Sequence, residues 1–416
     1  MSSPIFVYAH WESLDNPVLF GTLFVDSGRT GEIISFSYDE KWLLHSGNQI
    51  ALDPDLQLFR GRQYPKQGDS LFGLFLDSSP DRWGRMLMQR RELIVSKKEK
   101  RASKRLQESD YLLGVHDIAR MGALRFKREK TGDFLRSDSF LASPPWTRLR
   151  ELEHGCSQLE NATTLDEQEY WISQLNAPGS SLGGARPKAT VQDEEGHLWI
   201  AKFPSKHDVC DSGGWEMIVH DLAYKSGIVV PEAFLDRFSP RGSTFLTRRF
   251  DRTETNKRIH FSSAMALLGK KDGENETSYL ELVEFLLNYG ANPTEDLSQL
   301  WKRIVFNIAV SNTDDHLRNH GFLLGETGWR LSPAYDLNAS IEKTGLHLAI
   351  DDVDHSLDFQ VALKVAPQFR LSRKTAIEIL RDVTKVIREW KSVARKYDLP
   401  EDQCDFMQGA FRTFEE

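Results

Sequence analysis

Cysteine is scarce: Cys156, Cys210 and Cys404 are the only three in 416 residues, and their wide spacing fits neither a disulfide framework nor a zinc site. That excludes a disulfide-stapled secreted scaffold and predicts a reducing compartment. Long apolar runs are missing as well; none reaches the roughly 18 residues that a membrane span needs. The first residues, Met1-Ser2-Ser3-Pro4-Ile5-Phe6, offer no basic n-region and no apolar core. A cytoplasmic protein with no membrane partner is the expectation. Positive charge is not in surplus either: 53 Lys+Arg stand against 61 Asp+Glu, a formal net charge of −8. Such a field opposes the phosphate neutralisation that an autonomous nucleic-acid binder requires. Repeats and low-complexity tracts are absent, and 40% hydrophobic with 27% charged residues is ordinary for packed domains. The length leaves room for two or three cores. One local exception to the acidic balance is Ser96 to Arg105, where Lys97, Lys98, Lys100, Arg101, Lys104 and Arg105 oppose Glu99. It reads as a solvated linker or helix face, or as a secondary DNA contact made through a partner.

What is present concentrates late in the chain, in Ser311-Asn312-Thr313-Asp314-Asp315-His316-Leu317-Arg318-Asn319 and Pro333-Ala334-Tyr335-Asp336. Phosphoryl transfer to a hydroxyl needs a carboxylate to orient the nucleophile, an amide oxygen for magnesium, and a second carboxylate bridging magnesium to the phosphates. This stretch supplies all three. Four residues separate Asp314 from Asn319 and three separate Asp315 from it, and kinase loops use four, so Asp314 is the expected base. Apolar residues at 300, 301, 304, 305 and 308 predict a buried helix that delivers the loop. Gly321 to Leu324 and Trp329 to Leu331, separated by Glu326-Thr327-Gly328, predict a hairpin that leads to Asp336. Taken alone, the same residues also suit a helix end followed by polar turns.

Support lies upstream. Gly179-Ser180-Ser181-Leu182-Gly183-Gly184-Ala185-Arg186-Pro187-Lys188 precedes two β-prone runs, Ala189 to Val191 and Leu198 to Phe203. Glycines let main-chain N–H groups turn toward an anion, and Arg186 and Lys188 add charge for triphosphate oxygens. The Walker spacing is absent, which disfavours a P-loop NTPase. Lys202 sits in a strand that is apolar on nearly every side, as a phosphate-contacting lysine would, with Glu216 on the helical run Ser212 to Ser226 as its expected partner. A solvated helical acid is the competing reading of Glu216. Ser243 to Arg249 reads as a strand running into Phe250-Asp251-Arg252, where a hinge would pass adenine; a core role for Phe250 competes.

Three regions are expected. Residues 1–130 form a β-rich subdomain with strands at Phe6 to Trp11, Val18 to Val25 and Glu32 to Tyr38 and a helix at Pro80 to Val95. Residues 131–254 carry the nucleotide-binding strands, and residues 255–416 are mainly helical. In the last region Ala376, Ile379, Val383, Ile387, Trp390, Ala394 and Tyr397 predict one long helix behind a Ser372 cap.

The chain resembles the HipA family of toxin kinases. The likeness is carried by Ser181-Leu182-Gly183-Gly184-Ala185-Arg186-Pro187-Lys188, Ile200-Ala201-Lys202-Phe203-Pro204, Arg249-Phe250-Asp251-Arg252, the Asn312 to Asn319 loop and Pro333 to Asp336. In the amino-terminal third it extends to Phe72 through Arg82 and Tyr111-Leu112-Leu113-Gly114. The resemblance implies an α+β, two-lobed protein-kinase-like fold and a serine/threonine protein kinase. It implies a helix-turn-helix antitoxin, DNA contact only through that antitoxin, and a protein target of the aminoacyl-tRNA synthetase kind. Carried over, Asp314 is the base, Asn319 and Asp336 hold Mg²⁺, and Lys202 meets the ATP phosphates. Gly183, Gly184, Ala185, Arg186, Lys188, Arg249, Phe250 and His316 complete the ATP contacts. Ser181 falls at the autophosphorylated serine, with Ser180 adjacent; a phosphate there would carry roughly −1.5 to −2 charges into the triphosphate site. Arg248 stands where relatives often have an acid. Two alternatives stay open, a small-molecule kinase of the aminoglycoside or choline type and a catalytically silent corepressor.

Overall fold

The structure is a computed structural model that describes residues 3–28, 31–44, 50–137, 143–175, 184–274 and 276–414. The fold is α+β, and the chain forms two compact units, Met1–Lys206 with Arg248–Lys270 and His207–Thr247 with Lys271–Glu416.

The first unit opens with an antiparallel sheet in the order Glu32–Tyr38, Val18–Ser27, Ser3–Ala9, Leu124–Lys127. The first strand starts earlier than the alternation suggests because Ser3 and Pro4 already pair with Val25 and Phe24. Ile5, Val7 and Ala9 on one side chain row, with Phe20, Leu23 and Phe36, are fully buried. Ring contacts from Phe36 to Phe75 and from Phe75 to Phe126 carry that core to the short helix Gly73–Leu76. Gly73 is needed there, since a Cβ would lie 2.9 Å from the Ala266 Cα on the neighbouring Ala264–Leu267 turn. Asp77 fastens the same junction by accepting from the Ser262 hydroxyl and from both the N–H and hydroxyl of Ser263. Asp81 then caps the helix Arg82–Lys98 at the Gly84 N–H, 2.8 Å away. Later in the unit, Lys188–Gln192 and Leu198–Lys202 pair as an antiparallel hairpin.

The second unit is built around the helix Pro293–Ala309, capped by Asn292 and begun by a proline whose missing N–H is no loss at that position. Leu297, Leu300, Trp301, Ile304, Val305, Phe306 and Ile308 are all fully buried, and the Trp301 indole donates to the Ala362 carbonyl at 3.0 Å. The expected hairpin follows, with Phe322 opposite Leu331 and Leu324 opposite Trp329. Ser372 caps the helix Arg373–Ile387 through the Thr375 N–H, as its position before the apolar stripe suggests. The single long helix expected here is instead two, and the second runs from Trp390 to Lys396. Glu389 donates to Val386 in a tightened turn, and just beyond it Trp390 stacks on Phe411 at 4.3 Å and 8°. Apolar periodicity survives such a break because both pieces bury the same stripe.

Candidate active site

Both expected elements around the acidic loop belong to the second unit, where the chain leaves the Pro293–Ala309 helix through Ser311. Ser311 is left-handed at φ 51°, and its hydroxyl donates to the Ala410 carbonyl at 2.8 Å and accepts from the Arg412 side chain at 3.1 Å. The Arg412 N–H also bonds the Ala309 carbonyl, so the carboxy-terminal segment straps the start of the loop. A non-glycine residue in this conformation costs on the order of 1–3 kcal/mol and persists only where its surroundings enforce it.

The two aspartates then part. Asp315 points inward, is 2% exposed, and accepts from the Tyr279 hydroxyl at 2.5 Å, the Asn307 amide at 2.8 Å and His320 Nε2 at 2.8 Å. Burial alone would raise its pKa, but the charge and hydrogen bond of His320, followed by the Tyr279 bond, hold it below the usual carboxylate value. Burial, followed by the Asp315 charge, pushes the Tyr279 phenol well up, so it stays a donor. Asp314 points outward with its side chain 70% exposed, and its Oδ1 lies 3.5 Å from the Lys343 ammonium.

Asn319 is buried; its amide N–H donates to the Asp314 carbonyl at 3.1 Å, while its Oδ1 has no hydrogen-bond partner among the described residues. A buried unpaired amide oxygen costs about 1–3 kcal/mol. It is also the hard oxygen donor that Mg²⁺ takes, so the residue fits a metal ligand. Asp336 is half-buried and left-handed at φ 56°. Its neighbour Tyr335 donates to the Arg318 carbonyl at 2.7 Å, which ties the Pro333 to Asp336 turn against the Leu317–Asn319 turn. Arg318 is itself held by a two-pronged pair with Asp272. His316 is half-buried and meets His347 edge-on at 5.8 Å. Burial, with the His316 charge next, lowers the His347 pKa.

Among the nucleotide-side candidates of the first unit, Arg186 and Lys188 have partners within the unit. Ser180, Ser181 and Gly183 lie outside the described residues. Gly184 has φ +94°, a conformation that favours glycine, and Ala185 is exposed. Arg186 donates to the Phe203 carbonyl at 3.0 Å. Lys188 and Lys202 are direct cross-strand partners, which sets both side chains on one face of the hairpin. Like charges so placed repel, and Lys188 is answered by Asp81 at 3.0 Å, with both side chains buried. Lys202 is half-buried.

Arg249 departs furthest from expectation. Its guanidinium is fully buried, pairs with Asp251 at 2.6 Å and donates to the carbonyls of Ala119 and Arg120, while its N–H bonds the Leu198 carbonyl. The side chain is therefore a structural clamp, and the Arg-Phe-Asp-Arg motif pins the 117–122 loop. Arg252 and Arg258 reach the same loop, at Arg120 and Gly122 and, for Arg258, at Asp117. Phe250 is half-buried and packs near Phe261 at 5.9 Å. Arg248 pairs with Glu254 at 2.7 Å.

In the second unit, Glu216 is 6% exposed within the helix Ser212–Lys225, so the solvated-acid reading fails. That helix is seated by Asp211, which accepts from Gly214 and Ser243 and pairs with Arg237, and by Gly213, where a Cβ would overlap the Ser243 carbonyl at 2.1 Å.

The basic Ser96 to Arg105 segment of the first unit is largely neutralised by Lys97 with Asp166, Lys98 with Glu169, Arg101 with Glu92 and Lys104 with Asp110. Sequence reasoning missed Tyr279, Asn307, His320, Lys343 and His347. Of these only Asn307, a polar residue inside an apolar helical stripe, carried a local signal.

Residues 180–390, just over half of the chain, match the HipA-like C-terminal domain family. A Haemophilus influenzae protein provisionally named a kinase is 26% identical over 180 residues, covering 38% of this chain and 52% of its own length. Sinorhizobium fredii Y4dM, also provisionally named a kinase, is 25% identical over 279 residues, covering 59% of this chain and 66% of its own length. The chain thus spans between half and two thirds of the length of these relatives. Among solved structures, HipA in the Shewanella oneidensis MR-1 complex of HipA, HipB and operator DNA superposes with a TM-score of 0.67 at 17% identity. That match covers 98% of this chain and 94% of the other, and the shared fold is kinase-like. The chain belongs to the HipA family.

Proposed function

We propose that this protein is a serine/threonine protein kinase that transfers the γ-phosphoryl of ATP to a protein hydroxyl, as the toxin of a toxin–antitoxin pair. The reading is carried by the opposite fates of two adjacent carboxylates: Asp315 is spent inside the unit, while Asp314 faces outward, five positions before the unpaired amide oxygen of Asn319. In the proposed step the acceptor hydroxyl donates to Asp314 and its oxygen attacks the γ-phosphorus in line. The bond from that phosphorus to the ADP oxygen breaks, and Asp314 keeps the proton. Mg²⁺, when bound by Asn319 and Asp336, neutralises phosphate charge. Lys202, Gly183, Gly184, Ala185, Arg186 and Lys188 are assigned to the phosphates, His316 to the nucleotide and Glu216 to Lys202. Arg249 contributes at most its main-chain carbonyl beside Phe250.

Ser180 or Ser181 is the proposed autophosphorylation site. A HipB-like helix-turn-helix antitoxin is the proposed partner, by analogy with the Shewanella complex of HipA, HipB and operator DNA. The neutralised basic segment supports DNA contact only through that antitoxin. An aminoacyl-tRNA synthetase is the proposed class of target, and the cytoplasm the proposed compartment; no helix among the described residues is long and apolar enough to cross a membrane.

Phosphosite mass spectrometry after incubation with Mg-ATP tests the activity. Phosphate at Ser180 or Ser181 in the wild type and none in Asp336→Asn is the expected result. An unmodified wild type that still binds ATP would overturn it.

A further inference from the structure

The acidic loop carries one neighbour that the kinase anatomy does not call for. Lys343 lies 3.5 Å from Oδ1 of Asp314 and is the one lysine or arginine paired with that carboxylate among the described residues. Both side chains are more than half exposed, and an exposed pair of this kind adds little to stability. Its placement is what matters.

The backbone that presents Lys343 is a short arch with fixed ends. It leaves Asp336, whose carbonyl accepts from the Asn338 amide at 3.3 Å, and is anchored where the Ser340 N–H meets the Ser311 carbonyl at 3.2 Å. It lands at Leu346, whose N–H bonds the His355 carbonyl at 2.7 Å and whose own carbonyl meets the His355 ring at 3.1 Å. A Cβ on Gly345 would lie 2.9 Å from the His355 carbonyl, so glycine is what lets the two backbones approach there. Beyond it, Ala349 pairs with Thr277 and Tyr279 through its N–H and carbonyl, each at 3.0 Å. Tyr279 is the residue that holds Asp315. The arch therefore runs from the candidate metal ligand to the support of the acidic loop, and Lys343 is near its crown over Asp314.

An acceptor hydroxyl must come within about 2.6–3.2 Å of the base. A cation already touching that carboxylate is then within one phosphoryl group of the acceptor oxygen, and the four-carbon stem can cover the difference. Charge in the loose transition state is spread over the equatorial phosphoryl oxygens, where a cation supplied by the protein is most effective.

We propose that Lys343 is a catalytic residue: when the acceptor displaces it from Asp314, its ammonium binds a non-bridging oxygen of the transferring phosphoryl group. This rests on the kinase reading above. Lys343 remains protonated throughout; the hydroxyl proton goes to Asp314, and the electron pair of the breaking phosphorus–oxygen bond leaves with ADP. Until the acceptor arrives, the ion pair keeps the base occupied.

The test is single-turnover phosphoryl transfer from Mg-ATP by the full-length protein, followed by intact mass, for wild type, Lys343→Met and Lys343→Arg. Nucleotide affinity is measured separately with a fluorescent ATP analogue. Lys343→Met should lower the maximal rate by about 10²-fold, the lower range for a charge-stabilising donor, with nucleotide affinity unchanged, and Lys343→Arg should recover most of it. A Lys343→Met protein that transfers at the wild-type rate overturns the assignment while leaving the kinase reading intact. Loss of nucleotide affinity in Lys343→Met, or failure of Lys343→Arg to recover any rate, also overturns it. A wild type that transfers nothing overturns both.

Discussion

Two buried ionic clusters, one in each unit, put charge to different uses. In the first unit Asp117 and Asp251 are surrounded by Arg120, Arg125, Arg249, Arg252 and Arg258, an excess of buried cations that is balanced largely by main-chain carbonyls of the 117–122 loop. Burial drives the Arg120 guanidinium down to about 9. Burial would raise Asp251, but the Arg249 and Arg252 charges override it and hold the carboxyl far below its usual range. In the second unit a single carboxylate, Asp315, takes bonds from Tyr279, Asn307 and His320. The first cluster fixes the path of a backbone, and the second aims the side chain beside it. A motif that looks like a ligand site, Arg249 to Arg252, forms a clamp; a carboxylate that looks redundant, Asp315, is buried among donors while Asp314 stays exposed.

The largest expected effect comes from breaking the first cluster. Asp251→Ala strands two buried guanidiniums and should cost about 3–5 kcal/mol, read as the shift in a denaturant midpoint; a loss below about 1 kcal/mol would mean the clamp is not structural. Depressed carboxylates in both units set an acid limit. Asp251, Asp117, Asp211 and Asp315 are all depressed, so their stabilisation is present above the unfolded-state value of about 3.9 and is lost as pH falls below it. Asp53, raised to about 6 by burial, acts in the opposite sense: its contribution is present below about 3.9 and lost as pH rises through 6. Asp251→Asn should flatten the acid side of the stability profile, and an unchanged profile would contradict this.

The second cluster is sharpened by separating its two aspartates. Asp315→Ala leaves three buried donors without their acceptor and should cost about 1–3 kcal/mol. Asp314→Ala, at an exposed site, should stay within about 0.5 kcal/mol of the wild type. Opposite in sign is Asp336→Gly, which relieves a left-handed conformation and should raise stability by about 1 kcal/mol while abolishing transfer. A comparably small effect is expected for Lys97→Ala and Lys98→Ala, whose exposed ion pairs are worth about 0–1 kcal/mol.

Periodicity made the Pro293–Ala309 helix, the hairpin after it and the Ser372 cap legible, because each depends on residues close in the chain. Spacing alone separated Asp314 from Asp315. The break before Trp390 was not legible, since the apolar stripe continues through it. The clamp made by Arg249 was not legible for a related reason: its partners lie about 130 positions earlier, and an arginine in a motif carries no mark of which carbonyls it will meet. Tyr279, at the start of the helix Tyr279–Tyr289, and Lys343 reach the acidic loop from segments with no motif of their own.

The central claim is that Asp314 performs the chemistry while Asp315 supports the fold. Its most direct test is the rate of γ-phosphoryl transfer by Asp314→Ala alongside its melting curve. The account predicts a rate lower by roughly 10² to 10⁴ with an unshifted melting curve. Wild-type transfer by Asp314→Ala, or a melting curve as disturbed as that of Asp315→Ala, would contradict it.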